Sequence, residues 1–318
     1  MSECKPGCSQ HYSGIGGQAV LEGVMMRNGT RYATAVRKPD GSIVAEPMEY
    51  HGILEDSVLK KTPFVRGVFV FIDSLILGMK SINYSAEIWA EEEEESGKTA
   101  QEKEKESKAE SILSVLVTVI AFALAIGLFF VLPYFISSLL KNVIGSHFLL
   151  SVAEGLIRIG IFILYISSIS MMKDIKRLYR YHGAEHKCIN CIENGLPLTV
   201  ENARKSTRFH KRCGSSFLIF VMMVSIVLFF FIRVESPVMK VVLRILLIPV
   251  ISGISFELIR YAGSSDNPVI GILSKPGIWL QHITTSEPDD GMLEVAIASV
   301  NAVFDWKGYL KEEFSVEA

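Results

Sequence analysis

The residues best suited to chemistry are His182, Glu185 and His186, an H-x-x-E-H spacing within His182-Gly183-Ala184-Glu185-His186. On a helix the two imidazoles fall one turn apart and the carboxylate lies beside them on the same face. Imidazoles so placed can chelate one divalent cation, zinc by ligand type, while the carboxylate accepts a proton from water. This is the logic of the inverted zincin motif. The competing reading is a juxtamembrane helix whose polar residues face water, and Gly183 weakens the helix that the motif needs.

A second set of ligand-type residues, His210-Lys211-Arg212-Cys213-Gly214, stands directly before an apolar run. Glu257, in Phe256-Glu257-Leu258-Ile259-Arg260, is a carboxylate in an otherwise apolar stretch, where acids tend to be paired or functional. The expected site has His182 and His186 as metal ligands and Glu185 as general base, with a third ligand from Glu257, His210 or Cys213. A rival arrangement is Cys188-x-x-Cys191 followed by His210-x-x-Cys213, close to the spacing of a structural zinc knuckle. It closes four positions and leaves His182, Glu185 and His186 for another task.

These residues must be positioned by a chain that is 49% hydrophobic, with a net charge of -2 and a mean hydropathy of +0.34, a value that soluble enzymes of 318 residues rarely reach. A bilayer crossing needs roughly 20 mostly apolar residues. Four runs approach that length: Ile112 to Leu140, Phe148 to Met172, Phe217 to Ile232 and Val241 to Ile259. The segment between the second and third carries Lys173, Lys176, Arg177, Arg180, Lys187, Arg204, Lys205, Arg208, Lys211 and Arg212, against Lys141 alone in the first connection and Arg233 and Lys240 in the third. The positive-inside rule places this middle loop, and with four crossings both termini, in the cytoplasm. No signal peptide is expected, since Met1 to Gln18 has no apolar core. Cys4, Cys8, Cys188, Cys191 and Cys213 all fall on the reducing side, so disulfides are not expected.

The predicted fold is mostly α: a polytopic membrane helix bundle of about four transmembrane helices plus an interfacial or re-entrant helix, with a small β-rich N-terminal region. Residues 1–62 form that cytoplasmic region, with strands over Ala19 to Arg27, Tyr32 to Lys38 and Ile43 to Met48 and hairpin signals at Asn28-Gly29 and Asp40-Gly41. Residues 63–90 carry the interfacial or re-entrant helix, in which Arg66 and Asp73 share a face. Residues 91–111 are a charged linker. The membrane domain spans 112–260 with its cytoplasmic loop at 173–216, and 261–318 form a cytoplasmic tail. In the tail, Tyr261 to Pro276 reads as loop, and a helix follows Asp289-Asp290 through Met292 to Val303. Within the second span Glu154 and Arg158 are one turn apart and should pair, with Arg158 and Arg244 snorkelling to the outer interface rather than lining a pathway.

The chain resembles the YqhQ-like family of bacterial membrane proteins, described as predicted metal-dependent enzymes without an established activity. The resemblance covers nearly the whole length. It rests on the string Gly16 to Arg27 (GGQAVLEGVMMR), on Tyr181 to Lys187, His210 to Gly214 and Phe256 to Arg260, and on Pro276 to Asp289 (PGIWLQHITTSEPD). Cys188 stands outside that pattern, which weighs against the knuckle. The resemblance implies a membrane protein with a metal site on its His and Glu residues, and assigns no chemistry to Glu22 or to Thr284 to Asp289.

The leading functional expectation is a membrane-embedded, metal-dependent hydrolase at the cytoplasmic face, acting on a lipid head group, a membrane-inserted peptide or a small phosphorylated metabolite. The alternatives are an ion or solute transporter or channel, whose route Arg66, Asp73, Glu154 and Arg158 mark, and a membrane scaffold with a structural metal. Partners are the lipid bilayer and a second copy in a homo-oligomer; no nucleic acid is expected.

Overall fold

A computed structural model describes residues 11–55, 57–90, 113, 115–232, 234, 236–264 and 268–316. Cys4, Cys8 and the charged linker 91–111 lie outside the described residues. The described chain divides into two compact units, one drawn from Met1–Glu92, Ile169–Phe220 and Ser252–Ala318, the other from Glu93–Ser168 and Val221–Ile251. In chain order the helices are α1 (Val58–Lys61), α2 (Val65–Ala90), α3 (Val115–Leu139), α4 (His147–Ile169), α5 (Lys173–Glu193), α6 (Val200–Lys205) and α7 (Gly214–Phe230). They continue with α8 (Pro237–Leu246), α9 (Ile248–Ser264), α10 (Pro268–Thr284), α11 (Asp290–Val303) and α12 (Trp306–Phe314).

The first unit is built on an antiparallel sheet of β1 (Gly16–Val20), β2 (Gly23–Asn28), β3 (Arg31–Arg37) and β4 (Ile43–Glu49), paired in that order. Gly29 and Gly41 take positive φ in the two turns their dipeptides predict. The predicted strand Ala19 to Arg27 is in fact two strands joined at Leu21-Glu22, with Val20 paired to Gly23. No Gly or Asn marks this turn. Glu22 itself adopts φ 49°, a left-handed conformation that its contacts with Arg177 and Tyr181 of α5 hold in place.

Both faces of the sheet are covered. Val24, Met26, Ala33 and Ala35 pack with Tyr181, Ala184, Ile189 and Ile192 of α5 and Leu293 and Val295 of α11. The alternate residues Met25 and Tyr32 turn to the other face, against Leu77 of α2. Leu293 is wholly buried, and truncating such a leucine to alanine costs about 2–5 kcal/mol. Gly67 in α2 and Gly253 in α9 bring those helices together, because a Cβ on Gly253 would run into the Phe64 carbonyl. The tail helix begins as predicted: Asp289 caps α11 by accepting from the Met292 N–H at 3.0 Å. The predicted loop Tyr261 to Pro276 is largely helical instead. Proline at the first position of α10 suits a helix start, and Pro276 inside it forgoes one backbone hydrogen bond while Gly277 lets the helix lie directly on Ser216.

In the second unit α3 widens to a π-helical turn at Gly127–Val131. Arg158 of α4 donates to Glu154 at 2.9 Å, to Ser225 at 3.0 Å and to the Phe129 carbonyl of that turn at 3.1 Å. Arg244 of α8 donates to the second Glu154 oxygen at 2.8 Å. Neither arginine snorkels: both are buried, turned toward the one acid. Among the described residues two helices, Val115–Leu139 and Phe148–Ile169, are long and apolar enough to cross a membrane, or three spans if α8 and α9, bent by 42°, count as one. The remaining predicted run, Phe217 to Ile232, corresponds to the shorter apolar helix α7.

Candidate functional site

The predicted motif sits on α5, which starts afresh at Lys173 rather than continuing α4. Asp174 in its first turn complements the helix dipole, and Asn194-Gly195 ends it, Gly195 taking φ 74°. Tyr181, Glu185 and Cys188 face the sheet side of this helix. Gly183 lies under the segment Thr284 to Pro288: the Ser286 N–H donates to the Tyr179 carbonyl at 2.9 Å, and a Cβ at 183 would collide with the Ser286 carbonyl. The glycine that weakens the helix is thus what admits the crossing segment.

That segment orients the motif. His182 Nδ1 lies 2.8 Å from the Thr284 carbonyl, and His186 Nδ1 lies 2.6 Å from the Arg208 carbonyl. A carbonyl can only accept, so each Nδ1 carries a proton and each Nε2 is the ring atom left to face the cluster. Cys213, directly before α7, places Sγ 3.1 Å from His182 Nε2. The ligand atoms of His182, His186 and Cys213 all lie within 4.8 Å of one another, the one such group of three among the described residues.

The three groups adjust each other's protons. Burial opposes ionisation of the Cys213 thiol, yet the His182 and His186 imidazoles outweigh it and hold the thiol well below its ordinary value. His182 is raised to about 9: burial disfavours the imidazolium, and the Cys213 thiolate overcomes that. Glu185 is pushed up by burial, with His186 and His182 partly opposing the shift and the Gly17 N–H donating to its carboxylate. A Cβ on Gly17 would come within 2.9 Å of Glu185 Cγ, so the glycine in β1 is the space into which this acid fits.

Of the three residues expected to complete the ligand set, only Cys213 joins the cluster. Glu257 is not brought there: Arg66 of α2 holds it through 2.6 and 2.5 Å contacts, and the Phe64 N–H donates to it at 3.2 Å. His210 forms a second layer, its ring 5.6 Å from that of His186. Burial keeps His210 neutral, its Nε2 lies 3.3 Å from Glu193, and Gln281 clamps its backbone N–H at 2.8 Å and carbonyl at 2.7 Å. Glu193 also takes Arg212 at 2.5 Å and the Ser13 N–H at 3.0 Å. The zinc-knuckle arrangement does not form, because Cys188 and Cys191 are buried in the hydrophobic core and Cys191 Sγ points at the Pro197 carbonyl, 3.5 Å away.

The tail string has positioning roles that spacing alone did not reveal. Glu287 pairs with Lys187 at 3.0 Å and Arg208 at 3.3 Å, and Asp289 with Arg180 at 3.0 Å, which fastens Thr284 over the motif. Gly17, Gly183, Arg208 and Thr284 act through backbone atoms or close approach, for which side-chain chemistry offers no signal, and Gln281 acts through its side-chain amide on a backbone 71 residues away. Glu22 pairs with Arg177 and accepts from Tyr181 at 3.1 Å, both on α5.

A family model described as "Protein of unknown function (DUF1385)" matches residues 62–306, which include every residue of the cluster. The chain is 38% identical over 290 residues to "Uncharacterized protein YqhQ" of Bacillus subtilis (strain 168), covering 90% of this chain and 91% of that one. It belongs to this family. No solved structure matches it.

Proposed function

We propose that the chain is a membrane-anchored, metal-dependent hydrolase whose centre is held by His182, His186 and Cys213, with Glu185 as general base. The observation that carries this reading is the convergence of three donor atoms within 4.8 Å, two of them imidazole nitrogens freed by carbonyls that hold the opposite ring nitrogen. A thiolate with two imidazoles suits zinc, and three protein ligands leave a fourth position open, the pattern of catalytic rather than structural sites. A divalent cation there supplies a Lewis acid. Glu185, buried and shifted upward, takes the proton from the attacking water and returns it to the leaving group. The topology that accompanies this reading has four crossings, with α7 as the short third and α8–α9 as the bent fourth, both termini in the cytoplasm of a bacterial cell and the centre at the inner face.

Elemental analysis of the purified protein tests it. Wild type and Cys188→Ser should carry about one equivalent of divalent metal, His182→Ala should lose it, and Glu185→Gln should keep the metal and lose function. A second reading has its own observation: the 3.1 Å contact between Cys213 Sγ and His182 Nε2 is also that of a nucleophilic thiolate–imidazole pair. Wild-type protein that takes up no metal, while iodoacetamide alkylates Cys213, would replace the first reading by the second.

A further inference from the structure

The seam between α5 and β1 that encloses Glu185 opens, nearer the start of α5, into a cavity of about 320 Å³. Tyr181, Leu178 and Ile175 line it and stand four, seven and ten residues before Glu185 on one stripe of the helix, so its α5 wall extends roughly 6–15 Å from Glu185 along the axis. Val20 of β1, Leu21 of the turn that follows it and Ile82 of α2 complete an apolar interior, with the Glu22–Arg177 pair among its polar members. Ile82 is also the last of Ile72, Leu75, Met79 and Ile82, exposed apolar residues at i, i+3, i+7 and i+10 on α2. Leu77 and Ile76 of α2 pack on the sheet, so this stripe is a greasy face left outward, the pattern of a helix lying in a bilayer interface. The helix carrying this wall, α5, begins four residues after the end of α4, a helix of membrane-crossing length. Lys173 and Lys176 stand exposed around that start, where they complement an anionic head group.

We propose that the cavity takes an acyl chain of an anionic phospholipid, drawn from the inner leaflet along the outward face of α2, and that phospholipid is the substrate class of the centre. The second half rests on the metal-hydrolase reading; chain binding does not. The α2 stripe ends at the cavity and the cavity shares its seam with Glu185, so a lipid seated there comes to about 6 Å from Glu185 along the helix axis at the cavity's Tyr181 end.

The test uses the full chain in detergent micelles with a phosphatidylglycerol bearing a photoactivatable diazirine on its acyl chain, irradiated and mapped by peptide. Label is expected on the peptides carrying Leu178 and Ile82. Leu178→Trp fills the cavity, and Ile82→Trp blocks it from a half-exposed position that tolerates bulk. Each should cut that label at least about tenfold without changing label on α3 and α4. Label confined to α3 and α4, or unaffected by both tryptophans, overturns the chain site. His182→Ala should lose metal and keep the label, so absence of metal from labelled wild type sinks the hydrolase reading alone. Metal-loaded wild type that leaves phosphatidylglycerol intact overturns the assignment of phospholipid as substrate.

Discussion

In the unit of long apolar helices Glu154 is gripped by Arg158 at 2.9 Å and Arg244 at 2.8 Å, and Arg158 is further held by Ser225 and a carbonyl of the π-helical turn. In the other unit His182, His186 and Cys213 also bury polar atoms, but the imidazoles' backbone partners occupy only Nδ1, so both Nε2 atoms converge with the Cys213 sulfur, all within 4.8 Å of one another. The first cluster spends its donors, Arg244 Nε excepted, on one another, on Ser225 and on the backbone around it. The second holds capacity in reserve, and reserve is what chemistry requires. Buried charges alone therefore do not mark a pathway here, and the Glu154 network, which pairs its acid with both arginines, reads as a structural clasp between α4 and α8.

The largest effect that can break this comparison is Glu154→Ala. Removing the one acid leaves two arginines uncompensated in an apolar bundle and should destabilise the protein by about 3–5 kcal/mol, read from denaturant unfolding in detergent. A negligible loss would mean that water reaches these side chains, which favours the transport reading.

Next is Gly183→Ala, which drives a methyl group into the Ser286 carbonyl. The expected loss is about 1–3 kcal/mol. It should also weaken metal binding roughly 10–100-fold by displacing the Thr284 carbonyl from His182, as measured by competition with a chelator. Unchanged affinity would separate the crossing segment from the site.

The smallest effect concerns pH. Burial would raise Glu193, but the His210 hydrogen bond and the Arg212 charge hold it below the ordinary carboxylate range. A depressed folded value means that the unfolded chain binds the proton first. The stabilisation is therefore whole above the unfolded pKa of about 4.3 and is lost as pH falls through the lower folded value. Glu193→Gln should flatten the acid limb of stability by at most about one proton, roughly 1.4 kcal/mol per pH unit. An identical acid slope in both proteins would remove Glu193 from the acid response.

The helical motif was legible because its chemistry is local: positions i, i+3 and i+4 share a face whatever else the chain does. Asn28-Gly29 and Asp40-Gly41 were legible for the same reason. The Leu21-Glu22 turn was not, since an acid in a left-handed conformation is held there by α5, more than 150 residues away. The helix Pro268–Thr284 was hidden under Gly, Ser and Pro, whose turn propensity tertiary packing overrode.

By itself the sequence determined the apolar runs, the sheet-forming N-terminal region and the His182–Glu185–His186 face, all consequences of short-range periodicity. Which of Glu257, His210 and Cys213 would join that face was decided only by tertiary structure. Arg66 claims Glu257, while Glu193 and Gln281 claim His210, and Cys213 is left beside His182 at the start of α7. All three carry competent donors. What separates them is competition among partners distant along the chain, which residue type and spacing do not encode.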